Sequence, residues 1–252
     1  HSETAPCALF DEIPGYPKGH RVFTNFFGGR RQNITLGFPP DLTKFELSVA
    51  FNKAYQEVVQ RPLPYKTVET GPVMENIMEG DDVDVLSLPT PLWHEGDGGR
   101  YIGTGSFNVT RDPEENWINV GTYRVMVHDA KTVGFYISPG KHGRLHREKY
   151  MDKNIPMPVC VVVGVDPTHF LAARMTIPDD IEEFAFQGGL AGKPIDLITG
   201  DNGLPFPANS EIVIEGYQYP DETRMEGPFG EWTPSRTRSS KLKKYTIGTI
   251  RS

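Results

Sequence analysis

The stretch WINVGTYRVMVHD, residues 117–129, decides how the rest of the chain reads. β-Branched and aromatic residues dominate it, no proline interrupts it, and the turn signal Asp129-Ala130-Lys131 closes it, so it reads as a strand. Strict alternation puts Asn119, Gly121 and Tyr123 on one face. Asn119 and Arg124 therefore share a surface only if the strand bulges or ends between them. Gly121 fits two readings: a place where a ligand approaches the backbone closely, or part of an edge strand that carries a solvated Arg124.

Working outward, short apolar pieces recur at 132–138, 159–165, 195–199 and 211–216, separated by Ser138-Pro139-Gly140, Ala191-Gly192-Lys193 and Gly200-Asp201-Asn202-Gly203. Several short strands with few helices predict a mostly β barrel. Residues 1–40 are rich in Gly, Pro and aromatics, with strand-like pieces such as 21–27. A helix is predicted over 41–60: Thr43 and Glu46 form a capping-box pattern, Phe45, Val49 and Val58 give part of an apolar face, and Pro62 ends it. Residues 62–100 form a Pro-rich, acidic connection, 101–106 a glycine-bearing loop, and 143–154 and 167–173 two further helical pieces. The fold class is thus α+β, with an N-terminal α/β region over 1–100, a β domain over 101–233 and an atypical tail over 234–252.

The 252 residues, 37% of them hydrophobic, suffice for a core. A net charge of -7 speaks against general nucleic-acid binding, and the basic run 236–244 is too local to reverse that. Cys7 and Cys160 are the only cysteines; the second sits in the apolar run 159–163 and reads as a reduced core thiol of a cytoplasmic protein. No apolar run is long enough to span a bilayer, and no signal pattern opens the chain. The sequons at Asn33 and Asn108 are accordingly read as chance.

Three further stretches carry chemistry-bearing residues. In RMEGPFGEW, residues 224–232, Gly227, Pro228 and Gly230 shape a turn that presents Glu226 and Glu231. In SPGKHGRLH, residues 138–146, His142 and His146 have the i, i+4 spacing of helical metal ligands, but no Glu occupies the base position of a zinc-peptidase helix. His142, in a Lys-His-Gly turn, is open to a phosphate or an ion. IPDDIEEF, residues 177–184, reads alone as a solvated acidic turn. Since hard divalent cations prefer carboxylate and amide oxygens, one of its acids with Asn119 and His142 would make a Mn²⁺ or Mg²⁺ site. No phosphate-binding glycine loop and no serine nucleophile elbow occurs.

Taken in order and with their separations, Asn119–Arg124, Lys141-His142-Gly143, residues 177–183 and residues 226–231 resemble the UbiD family of reversible decarboxylases. Residues 14–18, Asp112-Pro113, 204–208 and 211–216 extend the resemblance from about residue 8 to about residue 233. It implies a split β-barrel flavin-binding domain, prenylated FMN held through its phosphate by a divalent metal, usually Mn²⁺, and K⁺ nearby. It carries the metal ligands onto Asn119, His142 and Glu183, with Glu182 one position away as the alternative. It carries the catalytic Glu-Arg-Glu network onto Glu226, Arg124 and Glu231, the last as general acid. Val120, Gly121, Thr122, Tyr123, Arg124 and Lys141 would line the cofactor beside the metal ligands. The implied activity is non-oxidative decarboxylation or carboxylation of an aromatic or α,β-unsaturated acid, with a flavin prenyltransferase as cofactor supplier, no nucleic acid and no membrane.

Family members are about twice as long and carry a C-terminal domain that closes over the flavin and forms the oligomer interface. The resemblance therefore implies a fragment of a homo-oligomeric enzyme, active or only flavin-binding. After Trp232-Thr233 the family pattern stops, and residues 245–252 read like an out-of-frame version of a family segment.

Overall fold

The computed structural model describes residues 6–103, 105–230 and 245–251, with backbone alone for the last segment. In chain order the elements are β1 (Ala8–Phe10), β2 (Val22–Thr24), α1 (Arg31–Thr35), α2 (Lys44–Gln60), β3 (Lys66–Thr67), β4 (Arg100–Gly103), β5 (Ser106–Arg111), β6 (Ile118–Gly121), β7 (Arg124–Asp129) and β8 (Thr132–Tyr136). There follow α3 (His142–Asp152), β9 (Met157–Val163), α4 (Pro167–Ala172), α5 (Glu183–Ala191), β10 (Asp196–Thr199), β11 (Pro205–Pro207), β12 (Ile212–Glu226) and β13 (Tyr245–Arg251). The mixed α and β content matches the expectation. The strands form a two-stranded sheet, a three-stranded sheet, and an eight-stranded sheet ordered β4-β7-β8-β13-β12-β9-β5-β6. Among the described residues β4 and β6 are edges of that order, and no closed ring of strand pairs occurs.

The stretch 117–129 is not one strand. It stops after Gly121 and restarts at Arg124. β9 reads as a continuous apolar run because both its faces are covered. Cys160 and Val162 join Phe107, Val109 and Val120 against α5, β10 and β11 on one side. Val159 and Val161 join Val125, Phe135 and Tyr150 of α3 on the other.

α2 is capped as predicted: Thr43 Oγ1 accepts the Glu46 N–H at 3.3 Å, and Glu46 Oε2 accepts the Thr43 N–H at 2.9 Å. Its apolar face is the predicted one only at Val58. Phe45 and Val49 are exposed, while Leu47 and Val58 are buried, because the helix packs mainly through its C-terminal half, with Tyr55 edge-on to Phe186 of α5 at 5.4 Å. The expected loop 101–106 is instead the body of β4 and the start of β5, paired to β7 and β9. α5 is a helix the sequence reading missed: the acidic turn ends at Glu182, and Glu183 opens a helix closed by Gly192 in the left-handed region, φ 70°. Residues 224–226 are strand, so the expected turn begins only at Gly227. Cys160 is buried and Cys7 exposed, both unbridged. Asn33 and Asn108 are buried, so neither sequon presents its asparagine to solvent.

Candidate active site

Two strand ends bring the first cluster together. Arg124 begins β7 and Glu226 ends β12, and the chain pairs them across 102 residues: Arg124 Nη2 lies 2.6 Å from Glu226 Oε2. Glu226 has no exposed side-chain surface. Its other oxygen, Oε1, accepts the Tyr101 hydroxyl at 2.8 Å, so both carboxylate oxygens are occupied. Burial first, and then the bonded Glu226, raise the Tyr101 phenol well above its ordinary range, which keeps it a donor at any ordinary pH. The guanidinium lies in an aromatic cage, 4.7 Å from the Tyr136 ring, 5.1 Å from Phe229 and 5.8 Å from Tyr101. Phe229 reaches that position because the chain turns at Gly227-Pro228, and it stands edge-on to Tyr101 at 4.5 Å.

The second cluster grows from the break after β6. The Asn119 amide donates from Nδ2 to Thr110 Oγ1 at 3.2 Å and to the Tyr123 hydroxyl at 3.1 Å. Both donors being used, the amide is pinned and its Oδ1 is left to accept. The Tyr123 hydroxyl also accepts the Gly143 N–H at 3.1 Å. Behind Asn119, Thr110 Oγ1 lies 3.0 Å from Nδ1 of the buried His146. Thr110 Oγ1 has a second lone pair besides the one that accepts from Asn119, so it either donates to Nδ1 or accepts from it, and a neutral imidazole of either tautomer fits. That agrees with the imidazole being held down to about 4, chiefly by burial. Gly121 leaves room for Tyr123: a Cβ there would overlap the phenol, and one on Gly143 would lie 2.8 Å from the same ring.

Glu183 completes the cluster from α5. Its Oε2 accepts the Val120 N–H at 2.8 Å, the only hydrogen bond of this buried carboxyl among the described residues, and burial pushes its pKa up to about 8. Glu182 beside it is exposed. Of the expected ligands, Asn119 and Glu183 are thus tied to adjacent residues of β6. His142, exposed at the start of α3, packs edge-on to Trp117 at 4.8 Å, and His146 flanks the same indole at 5.4 Å. His142 and His146 do lie on one helix side, but His146 is spent on Thr110. Lys141 is exposed at the N-cap of α3. Thr122 is half-buried in the break. Glu231 lies outside the described residues.

The family model described as 3-octaprenyl-4-hydroxybenzoate carboxy-lyase Rift-related domain matches residues 66–251. The chain belongs to the UbiD family. It is 39% identical over 241 residues to the pyrrole-2-carboxylic acid decarboxylase of Pseudomonas aeruginosa, covering 92% of this chain and 48% of that protein. The closed form of the vanillic acid decarboxylase of Sedimentibacter hydroxybenzoicus superposes with a TM-score of 0.86 at 29% identity, over 98% of this chain and 52% of that one. An evolved dimeric form of the UbiD-class enzyme HmfF from Pelotomaculum thermopropionicum, in complex with prFMN, gives 0.84 at 26%, over 97% and 54%. The chain spans about half the length of the curated relatives it matches.

The residues present fit a hard divalent cation by their donor chemistry. Asn119 keeps a free amide oxygen, Glu183 a carboxyl with one oxygen unused and no partner charge, and His142 an imidazole at the surface of the same region. No cluster of three or more His, Cys, Asp or Glu side chains that could hold a metal occurs among the described residues. Sequence reading missed Tyr101, Tyr136, Phe229, Thr110 and His146 as members of these clusters. Tyr101 was hidden by glycines that mimic a loop. His146 carried a signal, its spacing from His142, that pointed to the wrong chemistry.

Proposed function

We propose that this chain is the cofactor-holding half of a UbiD-type decarboxylase acting on an aromatic or α,β-unsaturated carboxylic acid. The observation that carries this reading is the buried Arg124–Glu226 pair at 2.6 Å, closed by the Tyr101 hydroxyl. On this reading the eight-stranded sheet belongs to a split β-barrel flavin domain, and prenylated FMN, Mn²⁺ and K⁺ are its cofactors. Asn119, His142 and Glu183 would hold the metal, with Val120, Gly121, Thr122, Tyr123, Arg124 and Lys141 beside the cofactor. When bound, the modified flavin supplies the electron sink that loss of CO₂ requires.

The protein's part is positional and electrostatic. Arg124, fixed by Glu226 and caged by three rings, orients an incoming carboxylate. Tyr101 keeps Glu226 hydrogen-bonded on the side away from Arg124. Glu231 delivers a proton to the carbon that has lost CO₂. Tyr123 and Thr110 hold the Asn119 amide so that its oxygen, not its nitrogen, faces a cation. The chain works in the cytoplasm, as part of a homo-oligomer, with a flavin prenyltransferase as supplier.

The chain purified from cells that also make the prenyltransferase tests this reading. A flavin-like absorbance spectrum, near-stoichiometric Mn²⁺ and CO₂ release from aromatic or unsaturated acids are expected. A coloured protein with metal but no CO₂ release would support the alternative, a flavin- and metal-binding fragment without turnover. A colourless, metal-free protein refutes both. The coding DNA tests the reading of 234–252 as an out-of-frame tail: absence of a family-like alternative frame refutes it.

A further inference from the structure

The turn that carries Phe229 is gripped from behind by residues 94–98, part of the stretch that reads in sequence as a bare acidic connection. Asp97 has no exposed side-chain surface. Its Oδ1 accepts the Gly230 N–H at 2.6 Å, and its Oδ2 accepts the His94 N–H at 2.9 Å. Gly98 then donates its own N–H to the Pro228 carbonyl at 2.7 Å. The two backbones meet without room for a side chain. A Cβ on Gly98 would overlap the Gly227 carbonyl, and one on Gly230 would lie 2.7 Å from the His94 ring. That ring stands edge-on to Phe229 at 6.0 Å. Pro228, Phe229 and Gly230 are thus all met by one short segment.

We propose that Asp97 is a positioning residue whose carboxylate clamps this turn, so that Glu226 and Phe229 stay seated on Arg124. A carboxylate suits the place because two N–H groups converge on two oxygens. An amide offers one oxygen and would oppose the other N–H with a donor of its own. The β12 strand alone fixes Glu226 only up to the point where pairing ends. Beyond it, the clamp is what orders the backbone that brings Phe229 over the guanidinium. The role in catalysis rests on the decarboxylase reading of the site; the clamp itself does not.

The test uses the full chain carrying Asp97→Asn, with Asp166→Asn as a matched loss elsewhere: Asp166 Oδ1 accepts the Thr168 N–H at 2.9 Å at the start of α4. Amide hydrogen exchange read by mass spectrometry over 226–230 is expected to be roughly tenfold faster or more in Asp97→Asn and unchanged in Asp166→Asn. Should Asp97→Asn fail to fold, Asp97→Glu, which moves both oxygens out by one methylene, is read in the same way. The Arg124 guanidinium NMR signals, assigned by their loss in Arg124→Lys, are expected to broaden in the same variant. Unchanged exchange at Gly230 overturns the clamp; faster exchange with unchanged Arg124 signals overturns its positioning role. Where the cofactor-loaded chain releases CO₂, Asp97→Asn lowers kcat roughly tenfold with little change in KM. Where it does not, the decarboxylase reading fails while exchange and NMR still judge the clamp.

Discussion

Removing Arg124 is expected to cost more stability than any exposed ion pair could return, because the charge it leaves behind has nowhere to go. In Arg124→Met, Glu226 keeps only the Tyr101 hydroxyl at 2.8 Å, with no exposed surface through which water could take over. Breaking a buried pair by deleting one partner costs about 3–5 kcal/mol, against roughly 0–1 kcal/mol for an exposed pair. Arg124 keeps 22% of its side chain exposed, which places the expectation at the low end, about 3 kcal/mol. Glu226→Gln removes the charge but keeps an acceptor for either donor, and should cost about 1–2 kcal/mol. In the double variant no uncompensated charge remains, so the loss should fall short of the sum by about 1.5 kcal/mol or more. Urea unfolding of the four proteins at neutral pH, followed by circular dichroism and without cofactor, reads the coupling. A coupling energy below about 0.5 kcal/mol would refute the claim that this pair is buried and mutually dependent.

Three further outcomes are expected. Burial holds His146 at about 4 against an ordinary 6.5, outweighing the attraction of Asp112, with His142 and Lys149 lowering it further. A depressed histidine stabilises the fold fully above pH 6.5 and loses that contribution as pH falls through 4, up to about 3 kcal/mol; in a pH series of urea midpoints, His146→Gln should flatten this fall. Burial raises Glu183 from 4.5 to about 8, so the metal-free fold favours its neutral form, a contribution fully present below 4.5 and lost as pH rises through 8. Mn²⁺ needs the ionised form, so titration calorimetry should show proton release and an affinity that climbs toward pH 8, both absent in Glu183→Gln. Gly121→Ala should push the Tyr123 phenol off Asn119 and Gly143 and cost about 1–3 kcal/mol, measured as a lowered unfolding midpoint.

Local signals were legible where a local cause produced them. The Thr43–Glu46 cap and the apolar run of β9 each follow from residues within a few positions of one another. What stayed hidden depends on partners far along the chain. Phe45 and Leu47 look alike in sequence, yet the first is exposed and the second buried. Glu183 looked like one of a run of solvated acids until the start of α5 and the Val120 N–H gave it a buried place. The Arg124–Glu226 pair was expected through family likeness, while Tyr101, which satisfies the second oxygen, was disguised by its glycine neighbours. Spacing alone made His142 and His146 a pair; their environments make them one exposed ring and one buried ring.

β13 lies between β8 and β12, and among the described residues every other strand pair of the large sheet belongs to one side of it or the other. On a ribosome, β4-β7-β8 and β12-β9-β5-β6 are synthesised well before the strand that joins them. Until residues 245–251 emerge, β8 and β12 each wait with an unpaired edge, a template for pairing with a neighbouring nascent chain. Slow translation of residues 227–251 would lengthen that exposure. The yield of native protein in cells should therefore follow the supply of chaperones that shield strand edges more closely than it follows the stability of the finished sheet.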